Sequence, residues 1–193
     1  MFNYPTLRRM SVPGNIITDQ LLIEGCAAND RKSQEQLYKR YYNPMLALCF
    51  RYTKNQEDAI EVLHEGLLKV FQHIREFDAA KSALYTWIHT IMVRSAIDFV
   101  RKKKLEVVNI EWNDFTEPAI QPETLIDKSA EEIFYFLNQM PEISATVFNL
   151  YVIEGYKHKE ISQLLQISEG TSKWYLSEAK RQLVQCFEKR TIF

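Results

Sequence analysis

Glycine and proline are both scarce, 5 and 6 in a chain of 193 residues, and the prolines gather at the start and in the middle. Little therefore interrupts a helix elsewhere, because these two residues carry the largest helix penalties. Cysteine is rarer still. Cys26, Cys49 and Cys186 are too few and too scattered for a disulfide framework, and no two of them have the spacing of a zinc site, which points to a reducing cytoplasm. No apolar run approaches the roughly 20 residues that span a bilayer, so no membrane insertion is expected. The opening "MFNYPTLRRMSVPGN" lacks the apolar centre of a secretory signal, and Pro5, Pro13 and Gly14 mark residues 1–18 as a loose extension. Excess charge is missing too: 24 Lys+Arg stand against 25 Asp+Glu, a formal net charge of -1. Sequence-independent affinity for nucleic acid comes from cations that neutralise phosphates. Indiscriminate coating of nucleic acid is thereby excluded, and any contact must come from local basic patches.

What is present is helical periodicity. With 46% hydrophobic and 25% charged residues the chain falls in the soluble globular class, and its length suits two compact modules. The expected fold class is all-α: two small helical bundles joined by a flexible linker. Residues 19–28 and 33–52 carry apolar side chains at helical intervals, with Thr18 and Asp30 as N-caps and Pro44 as a break or kink, and should pack as a hairpin. Over 56–74, Ile60, Leu63, Leu67, Val70, Phe71 and Ile74 form one stripe while Glu57, Asp58, Glu61 and Glu65 gather on another. Over 82–103, Leu84, Trp87, Ile88, Ile91, Met92, Ser95 and Phe99 form the buried stripe, and Thr86, His89, Thr90, Arg94 and Arg101 look outward. The helix ends in the basic "RKKK". The stretch "LEVVNIEWNDFTEPAIQPETLID" then holds six carboxylates and no Lys or Arg, with two prolines, and reads as the linker. Helices over 131–139 and 143–153, divided at Pro141, lead into the C-terminal motif.

That motif, "KHKEISQLLQISEGTSKWYLSEAKRQL", reads as two short helices at a corner, Gln166-Ile167-Ser168, with Ser168 capping the second. Ile161, Leu164, Leu165, Ile167, Leu176, Ala179 and Leu183 close the inner angle. Glu169, Gly170, Thr171, Lys173, Trp174, Ser177, Lys180 and Arg181 then lie on the outer, DNA-facing side of the second helix. A helix-turn-helix of this kind lays the N-terminal half of its second helix in a major groove while hydroxyls, Lys and Arg hold phosphates. A plain helical hairpin with a solvated face has the same pattern. Gln166 stands where such corners often place Gly, which enters the left-handed region at low cost. Tyr85, His89 and Arg94 are the candidates for contact with unpaired bases on the preceding module, where aromatics lie beside cations; Trp87 and Phe99 are at core spacing. The acidic stripe cannot face phosphate and suggests a protein partner, although an ordinary solvated helix surface explains it as well.

Catalysis finds little support. His64-Glu65 starts like a zinc-protease helix, but position 68 is Leu, so the second ligand is missing. His73, His89 and His158 lack Cys or carboxylate partners at ligand spacing, and no phosphate-binding Gly loop or nucleophile elbow is present. No cofactor, no metal and no enzyme activity are expected.

The order of the two modules resembles the extracytoplasmic-function (ECF) sigma factors of bacterial RNA polymerase, over about residues 19 to 190. "SQEQLYKRYYNPML", "EDAIEVLHEGLLKVF" and "ALYTWIHTIMVRSAIDFVRKKK" are similar to that family's region 2. "LNQMPEISATVFNLYVIEGYKHKEISQLLQISEGTSKWYLSEAKRQL" is similar to its region 4. The resemblance implies a region 2 domain at 19–104, a linker at 105–128 and a region 4 domain at 129–193. It implies a factor that binds core RNA polymerase and directs promoter-specific initiation, with no chemistry of its own. Glu61, His64, Glu65 and Leu68 would dock on the polymerase. Phe77, Tyr85, Thr86, His89, Arg94, Arg101 and Lys102 would hold the opened minus-10 element, and the helix-turn-helix would read the minus-35 element. Partners implied are core polymerase, promoter DNA and an anti-sigma factor. Arg94 stands where the family often has Asn, and Trp174-Tyr175 where smaller or polar residues are common. Two other classes remain open from the residues: a regulator that uses only the helix-turn-helix, and an adaptor that sequesters regulators without reading DNA.

Overall fold

The computed structural model describes residues 18–106 and 130–191. The N-terminal extension before Thr18 and the linker beyond Glu106 lie outside the described residues. Among the described residues every regular element is helical. The chain divides into two compact units, one made of the residues up to Phe50 with Asn55–Ala96, the other of Arg51–Lys54 with the residues from Ile97 onward.

In the first unit, α1 (Asp19–Ala27) and α2 (Arg31–Cys49) form the expected hairpin. The Thr18 hydroxyl accepts from the Leu21 N–H and the Asp30 carboxylate accepts from the Ser33 N–H, so each helix begins where its capping side chain says it should. Between them Asn29 takes φ 59, a left-handed conformation that Asn tolerates better than most residues. α2 continues through Pro44, so the helix does not break there. Next come α3 (Gln56–His73), a 3-10 turn (Ile74–Glu76) and α4 (Leu84–Glu106), of which the residues up to Ala96 belong to this unit. Leu22, Leu37, Met45, Leu63, Leu67, Ile74, Leu84, Ile88 and Met92 are almost wholly buried. Each such side chain is worth about 1.5–3 kcal/mol relative to exposure. At Gly66 a Cβ would come within 2.3 Å of the Met92 sulfur, so glycine is what lets α3 and α4 approach.

The second unit holds α5 (Ala130–Leu137), α6 (Glu142–Phe148), a π-helical turn (Asn149–Ile153), α7 (His158–Leu165) and α8 (Glu169–Thr191). Leu137, Val147, Phe148, Leu150, Ile161, Leu165, Ala179 and Leu183 form its core, and Phe136 meets Phe187 edge to face at 5.0 Å. The expected stripes hold in outline and differ at particular positions. Ile60, Phe71, Trp87, Ile91, Phe99, Leu164 and Ile167 are only half-buried, while Val93, Ala96, Ile97 and Val100 are buried as well. α4 is therefore covered around more of its circumference than one apolar stripe implies.

Candidate nucleic-acid interface

The corner of the helix-turn-helix is built from local chemistry. The Glu160 carboxylate accepts from the Lys157 N–H at 2.7 Å and anchors the start of α7. Gln166 ends that helix at φ 53, ψ 52, a left-handed residue whose N–H returns to the Ser162 carbonyl. The Ser168 hydroxyl then accepts from the Thr171 N–H at 2.9 Å and opens α8. The Thr171 hydroxyl lies 2.8 Å from the same oxygen, so this candidate DNA contact is already engaged at the cap.

Beneath the corner, His158 Nδ1 lies 2.9 Å from the Ser172 hydroxyl, and the imidazole stacks on Tyr151 at 4.5 Å. Ser172 is 0% exposed. This bond fixes the start of α7 against the first turn of α8. Ser172, Tyr175, Leu176, Ala179 and Leu183 form the inner face of α8. Glu169, Gly170 and Lys173 are exposed, while Trp174, Ser177, Lys180 and Arg181 are half-buried, Trp174 against the Tyr175 ring at 5.0 Å. Lys173, Ser177 and Arg181 follow one another at four-residue intervals and so share a face. Arg181 is held by Glu178: Nε donates to one carboxylate oxygen at 2.9 Å and an Nη donates to the other. Gln182 donates to the same carboxylate. The Arg181 guanidinium, followed by the Gln182 and charge effects, holds the Glu178 carboxyl below its usual range.

In the first unit the four candidate docking residues lie along α3. Glu61 and His64 are exposed, Glu65 is half-buried and Leu68 is 58% exposed. His64 Nε2 shares a hydrogen bond with the Tyr38 hydroxyl at 3.2 Å, which steadies the ring. Phe77 is half-buried against the edge of Trp87 at 5.5 Å. Tyr85 is 49% exposed and leans on Tyr41 and His89 at 6.4 and 5.9 Å. Thr86 and Arg94 are exposed, and His89 is half-buried. Arg101, paired with Asp98 at 3.0 Å, and Lys102 lie further along the same helix α4, beyond the boundary at which the second unit begins.

One feature had no signal in the sequence. A cleft opens between α1 and the residues leading into α4, walled by Asp19, Gln20, Glu24, Phe77, Ser82 and Leu84. α1 reads as an ordinary capped helix, and only tertiary packing brings its polar first turn beside Phe77. Among the described residues no group of three or more side chains comes together that could hold a metal ion, and no helix is long and apolar enough to cross a membrane.

Comparison with known proteins agrees with this arrangement. Residues 37–106 match the Sigma-70 region 2 family and residues 130–183 match the Sigma-70, region 4 family. The ECF RNA polymerase sigma-E factor of Haemophilus influenzae is 26% identical over 179 residues, covering 86% of this chain and 94% of that protein. The ECF RNA polymerase sigma factor SigM of Bacillus subtilis is 25% identical, covering 80% and 95%. Among solved structures, the sigma factor RpoE of Bartonella quintana, in complex with the anti-sigma factor NepR, covers 80% of this chain and 96% of its own at 19% identity and TM-score 0.47. Both regions occur in their proper order on one helical chain, and the chain belongs to the ECF sigma factors, which direct RNA polymerase to promoters and initiate transcription there.

Proposed function

We propose that the three outward-facing groups of residues divide the work of initiation. Glu61, His64, Glu65 and Leu68 dock on core polymerase; Phe77, Tyr85, Thr86, His89, Arg94, Arg101 and Lys102 hold the opened minus-10 strand; the outer face of α8, from Glu169 to Arg181, reads the minus-35 duplex. The region 2 domain is taken as residues 19–104, the linker as 105–128 and the region 4 domain as 129–193. The protein works in the cytoplasm and catalyses nothing itself, the bond-making being left to the polymerase.

The observation that carries this reading is Leu68. A large apolar side chain more than half exposed beside Glu61, His64 and Glu65 on a rigid helix is what a protein-docking surface needs and what a phosphate-facing surface lacks. Half-exposed rings such as Tyr85 suit stacking on unpaired bases. An anti-sigma protein that covers these surfaces completes the proposal. Run-off transcription with core polymerase over a genomic promoter library tests it: the added chain should start transcription at a defined promoter subset. Absence of core binding in a pull-down would sink it.

A further inference from the structure

We infer that Glu178 sets how strongly α8 holds DNA, by occupying Arg181 with its own carboxylate. This rests on the reading of α8 as the duplex-binding helix and specifies how that binding is regulated from within. Arg181 shares the outer face of Lys173 and Ser177, where a free guanidinium would neutralise a phosphate. Instead Nε and one Nη donate to the two oxygens of Glu178, in the bidentate geometry that makes Arg–carboxylate pairs strong and directional. Gln182 donates to the same group from the next turn, so the carboxylate is fixed from two sides and only 18% of its side chain is exposed. Two of the five donors of Arg181 are spent, and its positive charge is offset within its own helix.

The consequence is that, over Glu169–Arg181, phosphate attraction rests on Lys173 and Lys180, while the Arg181–Glu178 pair adds no net charge. A DNA phosphate can recruit Arg181 only by competing with Glu178, which itself repels that phosphate. Such a device lowers affinity for arbitrary duplex more than for a site whose base contacts position the helix correctly, because the sequence-independent part of binding scales with the number of phosphates neutralised.

Fluorescence anisotropy of the full-length chain with a short labelled duplex of mixed sequence, measured over a salt series, tests this. Glu178→Gln should bind about three- to tenfold more tightly at low salt and steepen the log–log salt dependence by about one unit, the signature of one added phosphate contact. Glu178→Ala should follow the same direction. Arg181→Gln alone, which leaves the Glu178 carboxylate uncompensated, should weaken binding, and in the Glu178→Gln background it should cancel the gain. Unchanged or weaker binding by both Glu178 variants, with helical circular dichroism retained, overturns the inference, as does a gain that survives Arg181→Gln in the Glu178→Gln background. If Lys180→Gln weakens binding while the Glu178 variants do nothing, only this inference fails; if no variant of α8 alters duplex binding, the assignment of α8 to DNA fails with it.

Discussion

Gln166 shows what one backbone angle costs. A side chain other than glycine in the left-handed region carries a steric penalty of about 1–2 kcal/mol, part of which glycine returns as greater freedom in the unfolded chain. Gln166→Gly should therefore stabilise the protein by about 0.5–1 kcal/mol, read as a higher midpoint in chemical denaturation. Asn29→Gly, at φ 59, should gain less, because Asn already tolerates that region. Cys26 gives a second expectation at this scale. Burial, with a smaller contribution from Asp30, pushes its thiol from the ordinary 9.0 up to about 11. Its contribution to stability is full below the ordinary value and is lost as pH rises towards and through about 11. In the native chain a thiol reagent at mildly alkaline pH should label half-buried Cys186 well before Cys26 and Cys49, which are buried; equal rates for all three would contradict this. Thr18, Asp30 and Ser168 were legible as caps because capping is chemistry between near neighbours. Ser172 was not, since its partner His158 lies fourteen residues away and only the folded corner brings them within 2.9 Å.

Among the elements, α3 and α4 depend on a missing side chain. Gly66→Ala would drive a methyl into the end of the Met92 side chain, which is 0% exposed and must shift to make room. Overpacking of this kind costs about 1–3 kcal/mol. Gly170→Ala is the control: its Cβ would meet nothing closer than the Ser168 hydroxyl at 3.6 Å, so stability should hold or rise slightly. Thermal or denaturant melts of the two variants should separate clearly, and indistinguishable melts would refute the close-approach argument. At the opening of α8, Ser168→Ala should cost about 1 kcal/mol through the lost cap. Helical periodicity placed every element within a few residues. It misjudged how completely α4 is surrounded, because a single-stripe reading cannot see that neighbours pack on several sides. It likewise placed Ser95 inward without its partner; Lys69 Nζ donates to that hydroxyl at 3.1 Å, which makes the buried oxygen tolerable.

For the whole molecule, near-neutral charge and local surfaces belong together. A factor delivered by a polymerase gains little from holding arbitrary DNA, and the net charge of -1 leaves recognition to particular side chains. Leu68→Ala and Glu61→Lys should weaken binding to core polymerase by about tenfold or more, while the melting temperature stays within a degree or two, because surface substitutions seldom shift stability by more than about 0.5 kcal/mol. A pull-down beside a thermal melt checks both halves of that expectation. The two-module plan was legible because periodicity, proline placement and the acidic stretch agreed. The cleft beside α1 was not, since it exists only where the first unit's chain segments converge.

The inner and outer faces of α8 share almost no side chains: Ser172, Tyr175, Leu176, Ala179 and Leu183 serve the interior, and Glu169, Lys173 and Ser177 lie on the other side. On the proposed reading of α8 as the duplex-reading helix, new promoter preferences are within reach of a library that randomises the outward positions alone. Descendants of this gene can explore regulatory vocabulary while the scaffold that presents it stays untouched.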